Sequence, residues 1–158
     1  MSRSAIIAKK VREVFLNGRW IANTNYREQI GDLAWKHAVQ RHGDLNTIAL
    51  LVYHVNYYLA GLINVFKGGQ LTIRDKYSFD LSPIKSEVDW RNLVDEFLSN
   101  AEEFAHQIEN MEDNVLDRTF VDEKYGTYLR NIEGIIEHGY YHLGQISLIK
   151  RMILESEN

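Results

Sequence analysis

The chain has 158 residues, 45% of them hydrophobic and 25% charged, and this composition predicts one globular domain over residues 1–158. It contains no cysteine, which excludes disulfide bridges, thiolate metal ligands and a cysteine nucleophile, and is consistent with a reducing cytoplasm. The formal net charge of −4 provides no basic face for nucleic acid, and the N-terminal residues lack the apolar core of a signal peptide. We therefore expect a cytoplasmic protein without a nucleic-acid partner.

The first helix is predicted over residues 4–16, where apolar side chains recur at helical spacing. It is expected to end at Gly18. A long connection over residues 19–43 follows. Within this connection we expect a short helix over residues 25–33, which could extend as far as Val39.

The second helix is predicted over residues 46–66, where one seam alternates steps of four and three through Thr47, Leu51, His54, Tyr58, Gly61 and Val65. This is the most apolar stretch of the chain. It also contains asparagines, tyrosines and a histidine, which favour a buried core helix over a membrane span. Residues 70–85 form a second long connection. Because it is long enough to cross the end of a bundle, the flanking helices need not be antiparallel neighbours.

The third helix is predicted to begin after Ser86, with Asp89 completing a capping signal, and to reach Met111. Residues 113–126 are polar and form a third long connection. The fourth helix is predicted over residues 127–154. No alternating strand pattern is found, so the sequence predicts an all-α four-helix bundle with long connections after helices 1, 2 and 3.

Two histidines lie on the apolar stripe of the fourth helix. His138 and His142 are four residues apart, so their rings lie one above the other on one face. Pairs at this spacing bind zinc in HExxH helices, but Gly139, Tyr140 and Tyr141 stand between them here and the protease glutamate is missing. The spacing would allow both rings to bind one ion, but this is not that protease motif.

His54 occupies a seam position on the second helix and would meet this pair if the two helices touch. Three neutral imidazoles would then form a metal site of the catalytic type, with one position open. The alternative is that each histidine is a hydrogen-bonded core residue without a metal. The sequence pattern leaves both interpretations open. The other histidines are expected on the surface: His37, His42 and His106.

Three further side chains near the histidines are candidates for a chemical role. Tyr58 or Tyr141 could supply a proton or orient a substrate, although packing alone also explains a tyrosine in a helical core. Gln145 lies at the edge of the stripe, where it could bond to a group bound at the metal or hydrogen-bond within the bundle. No phosphate loop, dinucleotide fingerprint or serine-nucleophile motif is present.

Two segments carry a resemblance to a known family. Residues 46–54 (NTIALLVYH) and 137–146 (EHGYYHLGQI) resemble the helix-two and helix-four signatures of the DinB/YfiT-like superfamily. The resemblance implies a four-helix bundle in up-down-down-up order and a homodimer. It also implies a divalent metal ion, commonly nickel or zinc, held by His54, His138 and His142.

Some members of that superfamily are transferases or isomerases that use a low-molecular-weight thiol such as bacillithiol or mycothiol. The resemblance therefore implies a small-molecule substrate and a metal-dependent enzyme of the thiol S-transferase type, and the same metal could instead serve a hydrolase. The alternatives are a non-catalytic bundle that binds a metal or a small molecule, and a purely structural bundle. Neither a nucleic acid nor a membrane is expected as a partner.

Overall fold

Residues 1–157, the part of the chain that this computed structural model describes, form an all-α protein with no β-strand among them. The helices are α1 (Arg3–Arg12), α2 (Tyr26–Ile30), α3 (Trp35–Ala38), α4 (Ile48–Phe66), α5 (Glu87–Glu109) and α6 (Tyr128–Glu155). A π-helical segment, Glu13–Asn17, continues α1, and single turns of 3-10 helix lie at Asp75–Tyr77, Asp113–Asp117 and Glu123–Tyr125.

The four predicted helices are confirmed to within a few residues, because local capping groups set their starts. Thr47 caps α4 by accepting a hydrogen bond from the backbone N–H of Leu50, and Thr127 caps α6 in the same way. Ser86 caps α5 through the N–H of Asp89, as the capping signal predicts. The predicted short helix at residues 25–33 is observed as α2, and α3 is a separate turn.

Contacts between the helices define their directions. Helix α5 packs on α4 and runs the same way, since Asn56 bonds to Asn100 at 2.8 Å near the middle of the two helices and Phe66 stacks on Phe104 closer to their C-terminal ends. Helix α6 packs on α4 in the opposite direction, with Tyr128 stacked on Phe66. Helix α1 packs against α5. The α4–α6 contact is the one that forms the site.

The connection of residues 70–85 returns along α4 rather than crossing an end of the helices. Gly61 permits this path, because a Cβ atom there would lie 2.6 Å from the side chain of Ile73. Further along, the Tyr57 hydroxyl accepts a hydrogen bond from the Arg74 N–H at 2.7 Å. The return explains why α5 starts near the N-terminal end of α4 and runs parallel to it, and it lays the connection beside His54.

A buried aromatic cluster fixes the position of α6. Tyr26 is fully buried, contacts Phe15 and Phe97, and donates its hydroxyl to the carbonyl oxygen of Gly139 at 2.7 Å. Gly139 has to be glycine for this approach, because a Cβ atom would lie 2.8 Å from the Phe15 ring. The contact holds the centre of α6, next to His138, against the Glu13–Asn17 segment.

Candidate metal centre

His54 is presented from the middle of α4 and is 8% exposed. Its ring stacks on Phe79 with centroids 4.1 Å apart and planes 5° apart. Its Nδ1 lies 3.3 Å from the carbonyl oxygen of Ser78. A carbonyl oxygen can only accept, so Nδ1 carries the proton and Nε2 presents a lone pair.

His142 shows the same arrangement on α6. It is 7% exposed, and its Nδ1 lies 2.6 Å from the Oε1 of Gln145, one turn further along the helix. With the amide oxygen in that place, Nδ1–H donates and Nε2 is again left as an acceptor. His138 lies one turn before His142 with its ring centroid 4.4 Å away, and it is only partly buried.

The Nε2 atoms of the three histidines converge. Nε2 of His138 is 3.0 Å from that of His54 and 2.9 Å from that of His142, and one ligand nitrogen from each ring lies within 4.8 Å of the others. A proton on Nε2 of His138 could be donated along only one of its two contacts, and with the proton on Nδ1 instead both contacts bring nitrogen lone pairs face to face. An arrangement of this kind favours a cation at the common point.

The surroundings keep the imidazoles uncharged. Burial, together with the neighbouring His142 and His54, lowers the pKa of His138 to about 4. Burial also lowers the pKa of His54, helped by His142 and opposed by the bond to the Ser78 carbonyl. The pKa of His142 is lowered by burial and raised in part by Gln145. Neutral imidazole is the form that binds metal.

The donor set fits a divalent transition metal. Two nitrogens that share a tetrahedral zinc ion at about 2.1 Å lie roughly 3.4 Å apart. The observed separations of 3.0 and 2.9 Å need to open by only a few tenths of an ångström. Metal-binding histidines usually donate their second ring nitrogen to a carbonyl, carboxylate or similar acceptor, as His54 and His142 do here.

Tyr58 lies at the open side of the triad. Its ring stands edge-on to His54 and His138, with centroids 5.2 and 5.3 Å away, and its hydroxyl donates to Oδ1 of Asp75 at 2.7 Å. Burial raises the pKa of Tyr58, and the bond to Asp75 raises it further. Tyr141 also lies beside the triad, with its ring centroid 4.9 Å from that of His142, but it is 66% exposed.

The remaining histidines lie outside the triad. His106 is exposed, as predicted, and packs beside Asn110. His37 and His42 are partly exposed, and Nε2 of His37 lies 2.7 Å from Glu157. Among residues 1–157, none of these three histidines belongs to the cluster formed by His54, His138 and His142.

Sequence reasoning missed the residues that support His54. Ser78 contributes through its backbone carbonyl, which no side-chain pattern reveals, and Phe79 stacks on the ring from the same connection. Asp75 likewise gives no signal within a polar loop. The tyrosines at positions 57 and 58 are the one sequence feature that indicates such a contact. A half-buried hydroxyl on an apolar helix needs a hydrogen-bond partner from elsewhere in the chain.

An open cleft of about 490 Å³ begins at His138 and runs along α6 towards its N-terminus. Its apolar walls include Tyr58 and Leu62 of α4 and Ile135 of α6. The cleft gives the triad access to small molecules from solution.

Helix α4 is long and apolar enough, by length and composition, to cross a membrane, and 67% of its most apolar window is buried inside the protein. A buried core helix can have the same length and apolar composition as a membrane-spanning one. Comparisons of the chain with protein-family models, with curated proteins and with solved structures find no match. Function therefore has to be inferred from the geometry of the histidines.

Proposed function

We propose that the protein binds one divalent metal ion through His54, His138 and His142. The observation that carries this proposal is the convergence of three Nε2 lone pairs while two of the Nδ1–H groups are already bonded to other acceptors. Zinc and nickel are the ions we propose, since both bind imidazole well and availability decides between them.

We propose further that the protein belongs to the DinB/YfiT-like superfamily and that its long helices form a four-helix bundle in up-down-down-up order. The two signature segments support the membership. The parallel packing of α4 with α5, and the opposite direction of α6, support the order. A cytoplasmic location agrees with the absence of cysteine.

The activity we propose is that of a metal-dependent enzyme of the thiol S-transferase or hydrolase type, acting on a small molecule. A divalent cation lowers the pKa of a thiol or of water, which provides a nucleophile at neutral pH. In a chain without cysteine the thiol has to come from solution. His138 is the ligand that lines the cleft, so reactants reach the triad from that side.

The chain supplies two groups around this site. Gln145 holds His142 in the tautomer that presents Nε2, and Tyr58 stands at the mouth with its hydroxyl held by Asp75. We assign Tyr58 the role of orienting a substrate or exchanging a proton with it. Tyr141 is the second candidate for that role, because its ring touches His142 from the solvent side.

Metal content tests the binding proposal. Purified protein is loaded with zinc or nickel, desalted and assayed by elemental analysis and calorimetry. One ion per chain is expected for the wild type and for His106→Gln, which removes an exposed histidine outside the triad. His138→Gln should lose most of the affinity. Equal metal content in the two variants would refute the proposal.

Turnover separates the enzyme from the non-catalytic alternative. Metal-loaded protein is assayed against panels of thiols with electrophiles and of hydrolysable esters and amides, with the His138→Gln variant as control. A rate that requires both metal and His138 supports the enzyme. Stabilisation by metal without any rate above buffer would favour a binding protein that senses or stores a ligand.

We also propose that the protein is a homodimer in which the exposed face of α6 is the contact surface. That face carries Tyr141, Gly144 and Leu148, of which the two large side chains are 66% and 57% exposed. If two α6 helices cross antiparallel at Gly144, Glu137 of each copy, which lies 3.4 Å from Arg130 of its own chain, also meets Arg151 of the other. The pairing of opposite charges on both sides of an apolar centre supports a second copy as the partner.

A further inference from the structure

The cleft beside the triad has a histidine at one end and basic side chains at the other. His138 lines one end, and Lys124, Arg130 and Asn131 line the other. Tyr125, Leu62 and Ile135 provide largely apolar walls between them. The separation of the ends follows from the helix, because Arg130 precedes His138 by roughly two turns, or about 12 Å.

The far end is cationic for two independent reasons. Lys124 and Arg130 both line it, and it lies at the N-terminus of α6, a 28-residue helix with no acidic residue in its first turn. Two acidic groups lie nearby, but neither lines the cleft. Glu137 lies 3.4 Å from Arg130 at the exposed rim, and Asp75 accepts the hydroxyl of Tyr58. An anionic group that enters the cleft therefore meets two basic side chains and no acidic side chain on the walls.

We propose that this cleft binds an elongated small molecule with a carboxylate at one end, bound by Lys124 and Arg130, and a thiol at the other end, bound at the histidine triad. The thiol half rests on the proposed metal function. The carboxylate half rests on the charges and the length of the cleft. Arginine binds a carboxylate through two parallel hydrogen bonds, which gives the far end its selectivity.

The probe is 8-mercaptooctanoate, which is long enough to occupy both ends. Its methyl ester has the same chain without the charge, and mercaptoacetate has the charge without the length. Calorimetry is carried out on the zinc-loaded and on the metal-free protein. We expect the acid to bind roughly fivefold more tightly than the ester, because one partly exposed ion pair contributes about that much. Mercaptoacetate is too short to reach both ends and should bind more weakly than 8-mercaptooctanoate.

Substitution then assigns the preference to the cleft. In the variant Lys124→Gln/Arg130→Gln the acid and the ester should bind within a factor of about two of each other. Lys10→Gln removes a positive charge from an exposed position on α1, outside the cleft, and should keep the full preference. Both side chains at the cleft are exposed, so the double variant is expected to fold, and its zinc content checks that the triad is intact.

The outcomes separate the two proposals. Equal binding of acid and ester by the wild type, or an unchanged preference in the double variant, overturns the carboxylate site. If the wild type fails to bind zinc, the metal function is wrong, and the preference for the acid in the metal-free protein still decides the carboxylate site. If the zinc-loaded and the metal-free protein both bind the acid more tightly than the ester, and zinc raises the affinity for the thiol, both ends of the proposed site are supported.

Discussion

Gln145 Oε1 accepts the Nδ1–H of His142 at 2.6 Å, from the next turn of the same helix. This single hydrogen bond determines which nitrogen of His142 faces the triad. His54 is held in the same tautomer by a backbone carbonyl, that of Ser78. The two supports differ in kind, because one depends on a side chain that mutation can remove.

Replacing Gln145 should weaken metal binding without changing the fold. In Gln145→Leu the His142 ring loses its acceptor, and we expect the affinity for zinc to fall by about 10- to 100-fold, the usual effect of losing a group that orients a ligand. Competition with a chelator measures the affinity. Gln145→Glu keeps an acceptor and should retain the wild-type affinity; a loss equal to that of the leucine variant would contradict this role.

Metal should stabilise the folded protein. At free zinc 100-fold above the dissociation constant the gain is about 2.7 kcal/mol, which corresponds to roughly 5–10 °C in Tm for a chain of this size. Thermal unfolding followed by circular dichroism, with zinc and then with excess chelator, measures the shift. His142→Asn should abolish it and His106→Asn should keep it. A shift of the same size in both variants would indicate binding elsewhere.

The packing of α6 should depend on the missing side chain at Gly139. Gly139→Ala places a Cβ atom 2.8 Å from the Phe15 ring, and overpacking of this kind costs about 1–3 kcal/mol of unfolding free energy. Gly134→Ala is the matched control on the same helix, since a Cβ atom there meets nothing within 4 Å. It should stabilise by about 0.5–1 kcal/mol. Urea unfolding of both variants distinguishes the two effects.

Stability should fall in acid through Asp113, which joins the connection after α5 to the start of α1. The backbone N–H groups of Ser4 and Arg3 donate to this carboxylate and hold its pKa below the ordinary value of 3.8. A depressed folded-state pKa contributes stability above the unfolded-state pKa, and that stability is lost as the pH falls through the folded-state pKa.

The variant Asp113→Asn should therefore be less stable than the wild type at neutral pH and should lose less stability when the pH is lowered from 5 to about 3. Unfolding midpoints in urea across that range measure the difference. Asp44→Asn changes an exposed carboxylate elsewhere and should follow the wild-type curve. Parallel curves for Asp113→Asn and the wild type would exclude this contribution.

A charge on the exposed face of α6 should separate the proposed dimer. Leu148 is 57% exposed, so Leu148→Glu costs little folding stability but buries a charge in the interface. Sedimentation equilibrium should give a dimer for the wild type and a monomer for this variant. Leu45→Glu alters another exposed leucine and should remain dimeric. A wild-type protein that sediments as a monomer would end the proposal.

The sequence alone determined the helices and part of the site. The capping residues Thr47, Ser86 and Thr127 act on neighbours three positions away, so their effect is readable from local order. The i,i+4 spacing of His138 and His142 likewise follows from helix geometry, because residues four apart share one face of a helix however that helix is packed.

Tertiary structure alone decided how the third histidine of the triad and the groups that support it come together. The connection of residues 70–85 folds back along α4, and Ser78 and Phe79 thereby reach a histidine that lies far from them along the chain. The approach of α4 to α6 then brings His54 within 3.0 Å of His138. Such contacts depend on how whole helices pack, and the free energy of that packing comes from surface buried between distant parts of the chain. No local sequence pattern therefore encodes the distance between His54 and His138.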